Sequence, residues 1–200
     1  MYRRLVPALN PIFGLDSLKV AGSSTERAQQ TIATYREERV KTYGFQIAVD
    51  LALFEVKLDA QSICPFGVKI YSLAKFHPVF HLVAASTFID GLFVCYILLP
   101  AKDESNFMKY VLLNGDFEES KTVLVTSPVD LIYFQGPHYG DRYGIAETAL
   151  GALARASIPV LVTACSQSCI YLVLPGAMGP KAKRSLAEVF EVPRKRPSSR

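Results

Sequence analysis

The residues best suited to chemistry form a segment rich in glycine and aromatic side chains, residues 136–145, with the sequence GPHYGDRYGI. A predicted strand precedes this segment and a predicted helix follows it. Free N–H groups at the start of a helix bind carboxylate or phosphate groups, and Gly140 and Gly144 let the backbone approach a ligand closely. Asp141 and Arg142 are suited to an ammonium and a carboxylate group. The segment therefore predicts a site for a small charged ligand, although an ordinary strand–helix connection with Asp141 near the cap has the same pattern.

Motifs typical of common catalytic and metal sites do not occur in the sequence. G-x-S-x-G, the P-loop, H-E-x-x-H and G-x-G-x-x-G are all absent. The histidines have no nucleophile and carboxylate at a recognisable spacing, and each is interpreted as structural. The four cysteines form no C-x-x-C pair and have no histidine at ligand spacing. We expect no catalytic set, no metal and no cofactor; His138 with Asp141 is the one pair on which a small enzyme site could be built.

The charge of the chain is concentrated at its end. The chain has 200 residues and a formal net charge of +4. Residues 193–200 contain four basic residues and no acid, and the rest of the chain has equal numbers of basic and acidic residues. A neutral body offers no basic face for nucleic acid, so we expect no nucleic-acid partner. The tail has no apolar anchor and is predicted to be disordered.

The hydrophobic content raises the question of a membrane. Half of the residues are hydrophobic and 20% are charged, and the mean hydropathy is +0.21. The most apolar stretch, residues 78–100, is interrupted by His81, Asp90 and Gly91, whereas a membrane span needs roughly 20 apolar residues. Asp90-Gly91 is typical of a hairpin turn between two buried strands. We expect no membrane span and no secretory signal, and a cytoplasmic setting in which the cysteines are reduced.

From about Leu51 the order of predicted elements repeats. In the first copy, alternation and turn residues predict strands at 53–58, 78–85, 92–99 and 121–126, and helices at 68–76 and 103–113. In the second copy they predict strands at 129–134, 159–163 and 169–174, and helices at 144–156 and 180–190. Both copies follow the order β-α-β-β-α, and the first adds a closing strand.

This order is that of the ferredoxin-like βαββαβ unit, in which four antiparallel strands carry two helices on one face. We predict an α+β fold with two such units, at residues 51–127 and 128–192. The opposite, apolar face of each sheet is then available for pairing within or between chains. Residues 1–50 are predicted to be an extension with one helix, which begins at the capping box Ser23–Glu26 and ends near Tyr43.

The second unit resembles an ACT domain, a small-molecule regulatory module. The resemblance lies in Gly144–Ala146, residues 152–160, Ser166–Ser168 and the strand end Leu172–Pro175. Over residues 51–192 the chain is most similar to the tandem ACT region of aspartokinases and to stand-alone amino-acid sensors. The resemblance implies the ferredoxin-like fold, with sheets and helices arranged as in those modules.

The resemblance also implies that an amino acid binds at the interface between paired ACT domains. In the family, the ligand contacts come from the strand–helix loop and from the end of the second strand. Carried over to this sequence, the contacts are Gly140, Asp141, Gly144, Ile145, Ala146, Cys165, Ser166 and Gln167. Tyr143-Gly144 stands where the family usually has Pro-Gly, and the first unit departs further, with Cys64–Gly67 and Ala85-Ser86 at the equivalent positions.

We therefore expect a regulatory protein without catalytic activity, which binds an amino acid and acts as a homodimer or on a regulated protein partner. Two alternatives stay open. One is an assembly module whose ferredoxin-like units associate without a ligand. The other is a small enzyme, because a fold does not determine a function.

Overall fold

A computed structural model describes residues 39–74, 79–87, 91–109, 123–137, 139–140 and 142–192. The predicted basic tail and most of the predicted N-terminal helix lie outside these residues. The described end of that helix is a strand instead, because Val40 and Lys41 pair with the last strand of the chain. Gly44, with a φ of 123°, then turns the backbone into the next strand.

The described residues form eight strands and four helices. The strands are β1 (Val40–Lys41), β2 (Phe45–Leu58), β3 (Leu82–Thr87), β4 (Phe93–Pro100), β5 (Val123–Gln135), β6 (Val162–Cys165), β7 (Cys169–Pro175) and β8 (Phe190–Glu191). The helices are α1 (Ile63–Ala74), α2 (Glu104–Phe107), α3 (Ile145–Arg155) and α4 (Gly179–Val189), and a 3₁₀ turn at Ala101–Asp103 precedes α2. Within this part of the chain, six strands form one antiparallel sheet in the order β3-β4-β2-β5-β7-β6, and β1 pairs parallel with β8. The antiparallel sheet with helices confirms the predicted mixture of α and β structure.

The two longest strands, β2 and β5, lie side by side at the centre of the sheet. They pair from Phe45 opposite Phe134 to Val56 opposite Val123, and the register shifts twice near Leu51. The prediction of two separate strands, at 121–126 and 129–134, was wrong, because β5 is one continuous strand. Pro128 lies where the ladder between β2 and β5 is irregular, so its missing N–H removes no regular hydrogen bond and does not end the strand. β2 runs through residue 51 and β5 through residue 128, so one sheet contains strands of both predicted units; the division into units stays a prediction.

The helices of the second half agree best with the sequence pattern. α3 and α4 confirm the helices predicted at 144–156 and 180–190. α1 begins five residues before the helix predicted at 68–76, with Pro65 in its first turn, where a missing N–H is tolerated. Of the helix predicted at 103–113, the structure describes α2 and two π-helical residues that continue it to residue 109.

The helices cover one face of the sheet. One hydrophobic cluster packs α3 and α4 against β5 and β7, and a second packs α1 against β2 and β4. A third cluster consists of strand residues alone and includes Leu98 of β4 and Val173 of β7. Because successive side chains of a strand point to opposite faces, the neighbours Leu99 and Leu172, which pack in the helical clusters, lie on the other face. Both helical clusters therefore share a face, and the strand-only cluster lies on the opposite one.

A buried carboxylate joins α4 to the sheet. Asp130 of β5 is 1% exposed, and its Oδ2 accepts a 2.8 Å hydrogen bond from the backbone N–H of Gly179, in the first turn of α4. A Cβ atom on Gly179 would lie 2.8 Å from Cγ2 of Ile47 and 3.0 Å from Asp130 Oδ2. Asp130 therefore caps a helix that is distant in sequence, at the positive end of the helix dipole.

Replacing Asp130 tests this cap. Asp130→Ala removes the acceptor and leaves the buried N–H of Gly179 unpaired, so we expect the free energy of unfolding to fall by ~1–3 kcal/mol. Asp130→Asn keeps an oxygen acceptor and is the matched control, with a smaller loss. Urea unfolding followed by circular dichroism measures both variants. Equal stability of the Ala variant and the wild-type protein would contradict the assigned cap.

Candidate functional site

The segment that leaves β5 packs closely against the beginning of the described chain. A Cβ atom on Gly136 would overlap the backbone oxygen of Lys41 and Cε1 of Tyr139. Glycine is therefore required where these two stretches of backbone meet. The close contact determines where the segment containing the predicted ligand residues starts.

Thr42 and Tyr139 are buried where the segment after β5 meets the start of β2. Thr42 is 1% exposed; its hydroxyl donates a 2.8 Å hydrogen bond to the backbone oxygen of Gln135 and accepts a 3.3 Å one from the N–H of Gly44. Tyr139 meets Phe134 edge to face at 6.1 Å between ring centroids. Burial raises the pKa of Tyr139, and the neighbouring Thr42 hydroxyl offsets part of that rise. The buried Tyr139 hydroxyl has no hydrogen-bond partner among the residues that the structure describes. Thr42 was missed at the sequence level because it fell in the predicted helix.

The structure brings together the two regions that were predicted to hold the ligand. A Cβ atom on Gly140 would lie 2.9 Å from Cγ and 3.3 Å from the backbone oxygen of Gln167. The segment after β5 and the hairpin between β6 and β7 therefore touch, although 27 positions separate Gly140 from Gln167 in the sequence. This contact requires a residue without a side chain at position 140.

Helix α3 follows this contact closely in the sequence, because its N-cap lies four residues after Gly140. Gly144 is its N-cap, with a left-handed φ of 82°, and no side-chain hydrogen bond caps the helix. Thr148 donates from its N–H and its hydroxyl to the backbone oxygen of Gly144, each at 2.9 Å. The first N–H groups of a helix have no acceptor within the helix. The exposed Gly144 therefore opens the backbone N–H groups of the first turn to a ligand.

The hairpin between β6 and β7 is shaped by Ser166. Its hydroxyl accepts a 3.1 Å hydrogen bond from the N–H of Cys169, and its own N–H donates to the Cys169 backbone oxygen at 2.8 Å. Cys165 is exposed as a whole residue, yet the protein around its thiol partly removes water, and this desolvation together with the nearby Cys169 raises the pKa of Cys165. The Cys165 thiol is therefore protonated at neutral pH and is a weak nucleophile.

The predicted ligand residues differ in what they expose. Gly140, Gly144, Cys165, Ser166 and Gln167 are exposed and Ala146 is half-buried. Ile145 is 5% exposed and packs in the core, so its backbone N–H is the part that can face a ligand. Asp141, like His138, lies outside the described residues.

Of the charged side chains near Gly144, Arg142 was singled out from the sequence, whereas Glu147 and Arg155 were not. An open groove of about 440 Å³ runs along α3 and is lined by Arg142, Glu147 and Arg155 together with Gly144. A carboxylate and two guanidinium groups in one groove suit a ligand that carries both signs of charge. Positions 147 and 155 are eight apart on α3 and thus on one side of the helix, a spacing that the sequence could have revealed.

Two kinds of feature were not found. No group of three or more His, Cys, Asp and Glu side chains that could hold a metal ion occurs among the residues that the structure describes. Within the same residues, no helix combines the length and the apolar character that a membrane crossing requires.

Comparison with known proteins yields structural relatives alone. No protein-family model matches the chain, and no curated protein matches it. Aspartate kinase from Synechocystis superimposes with a TM-score of 0.67 at 14% identity, over 82% of this chain and 29% of that one. The regulatory subunit of aspartate kinase from Thermus flavus gives 0.65 at 12% identity, over 76% and 99%.

A third structure, aspartokinase III from E. coli in complex with lysine and aspartate, gives a TM-score of 0.51 at 14% identity, over 78% of this chain and 35% of that one. At such low identity the likeness establishes the fold. The predicted similarity to the regulatory region of aspartokinases is thus confirmed at the level of the fold, and the chain corresponds to nearly the whole of the Thermus flavus regulatory subunit.

Proposed function

We propose that the protein is a non-catalytic regulatory protein that binds an amino acid through an ACT-type module. The observation that carries the proposal is the contact of Gly140 with Gln167, four residues before the N-cap of α3. It joins the two segments from which the ACT resemblance draws its ligand contacts. The fold shared with aspartokinase regulatory subunits supports the same role.

We expect the carboxylate of the ligand to bind at the first turn of α3. The N–H groups of Ile145 and Ala146 lie at the positive end of the helix, and Gly144 leaves room for close approach. The ammonium group is matched by the carboxylate of Glu147, which lines the same groove as Gly144. The hairpin residue Gln167 lies against Gly140. The lysine and aspartate complex of E. coli aspartokinase III is consistent with an amino-acid ligand for this fold.

The protein is further proposed to act as a homodimer through the outward face of α1. The fully exposed residues described in α1 are uncharged, with Val68 60% and Tyr71 66% exposed, and its one charged side chain, Lys69, is half-buried. The outward face of α4, in contrast, carries Lys181, Lys183, Arg184 and Glu188, as a solvated helix does. Strand β3 lies at the edge of the same half of the sheet. It has no charged residue, and charges on an edge strand are what usually prevents pairing with another chain. A mostly uncharged helix face and an uncharged edge suit association with a second copy.

An assembly module without a ligand is the main alternative, and it shares the dimer proposal. It differs in that amino acids leave the protein unchanged. A small enzyme is the second alternative. Desolvation and the nearby Cys169 raise the pKa of Cys165, so its thiol stays protonated at neutral pH and is a weak nucleophile for such a role.

Calorimetric titration of the full chain with each standard amino acid tests the proposed ligand. We expect at least one to bind, and Gly140→Val to raise its Kd about tenfold or more, because the new side chain occupies the space beside Gln167. Gly67→Ala is the matched control, because a Cβ atom there meets nothing within 4 Å. Heats at the level of dilution for every amino acid would support the assembly module instead, whereas equal binding by Gly140→Val would place the ligand elsewhere.

Sedimentation velocity tests the proposed dimer separately. We expect the wild-type chain to sediment as a dimer and Tyr71→Glu to shift it toward the monomer, because a carboxylate on the α1 face would lose its water at the interface. Lys183→Glu on α4 is the control and should leave the dimer intact. A monomeric wild-type protein, or a dimer unchanged by Tyr71→Glu, would contradict the proposed interface.

A further inference from the structure

A second groove lies at the end of the sheet where β2 begins and β5 ends. It encloses about 230 Å³. The side chains that give it its character are Gln46, Tyr133, Gln135, Ser166, Ser168 and Tyr171. The volume is below the ~300–1,000 Å³ of pockets that hold drug-sized ligands, so the groove fits a molecule about the size of a single or fused ring.

The strand register explains why these side chains meet. Gln46 stands opposite Tyr133, and Tyr133 stands opposite Tyr171, so one cross-strand row runs over β2, β5 and β7. Tyr133 and Tyr171 accompany the strand-only cluster, which places the row on the face opposite the helices. Gln135 belongs to the same face, because it lies two residues after Tyr133. The groove is therefore separate from the first turn of α3, with Ser166 of the hairpin as the residue common to both regions.

An aromatic pair, Tyr133 and Tyr171, lines the groove. The rings of Tyr133 and Tyr171 are 5.9 Å apart between centroids and inclined by 21°. Both residues are half-buried, so part of each ring faces the groove. Aromatic side chains on a sheet surface are a platform on which planar bases stack, whatever the base sequence.

The walls of the groove are polar without being charged. Every described residue that lines it is neutral, and hydrogen bonding to Cys169 together with burial raises the pKa of Tyr171, which keeps its hydroxyl protonated. The side-chain amides of Gln46 and Gln135 each have an NH₂ group that donates hydrogen bonds and a carbonyl oxygen that accepts them. These groups match the donors and acceptors on the edge of a nucleobase. A zwitterionic amino acid, in contrast, finds no ionic partner among these lining residues.

We propose that this groove binds the uncharged planar base of a nucleoside, with the sugar outside the groove. The ring lies against the Tyr133–Tyr171 pair and its polar edge meets the amides of Gln46 and Gln135. This site is additional to the proposed amino-acid site and does not depend on it, because the two use different faces of the sheet.

Titration of the full chain with adenosine, guanosine, cytidine and uridine, followed by calorimetry, tests the proposal. We expect at least one nucleoside to bind, and Tyr133→Leu to weaken it about fivefold or more, since each stacked base gains that much from an aromatic partner. Gln46→Ala is a second variant at an exposed position and should also weaken binding. Tyr96→Leu is the matched control, because Tyr96 accompanies the same strand-only cluster but does not line the groove.

Failure of all four nucleosides to bind would overturn the proposal. Binding that survives both Tyr133→Leu and Gln46→Ala unchanged would overturn it as well. Adenosine monophosphate should bind no more tightly than adenosine, because no lining cation receives its phosphate; a clear gain from the phosphate would also contradict the assigned groove. Amino-acid binding measured on the same variants should stay unchanged. A failure of the nucleoside proposal can therefore be told apart from a failure of the amino-acid proposal.

Discussion

The pairing of β2 with β5 is the interaction on which the other features of the structure depend. These two strands lie at the centre of the sheet, and each carries one half of it on its outer side. Their ladder places the helix-packed clusters of both halves on one face and the strand-only cluster on the other. Near Leu51 the register shifts and the alternation changes parity, so that Phe45 before the shift and Phe54 after it both face the helices. The buried cap that Asp130 supplies to α4 follows from the same alternation.

The proposed amino-acid site is a consequence of where β5 ends. Thr42 ties the start of β2 to Gln135, and Gly136 lets the following segment pass over Lys41. The segment then reaches the hairpin at Gln167 and turns at Gly144 into α3. Small residues at the two close approaches leave backbone N–H groups, rather than side chains, as the surface offered to a ligand. Backbone N–H groups suit the carboxylate that all amino acids share. The side chains of the groove along α3 then select among different amino acids.

The sequence predicted well those elements whose pattern is local. α3 and α4 have helical periodicity and clear ends, and the strands of the second half follow from short apolar runs. β1 and the first part of β2 were missed because the capping box at Ser23 favoured one long helix, although Gly44 and the alternation from Phe45 to Ile47 are typical of a turn and a strand. The single strand β5 was missed because Pro128 usually ends a strand. The cap by Asp130 and the row of Gln46, Tyr133 and Tyr171 depend on cross-strand register, which no local pattern contains.

Amide hydrogen exchange of the full chain, measured with and without a saturating amino acid, is the most direct test of the central claim that an amino acid binds where the segment after β5 meets the hairpin. Exchange reports opening of individual backbone segments, so it locates a ligand that uses backbone N–H groups. We predict slower exchange in residues 140–147 and 165–169, with β3 unchanged as the internal reference. Exchange that no amino acid alters in those two segments, or protection confined to other parts of the chain, would contradict the account.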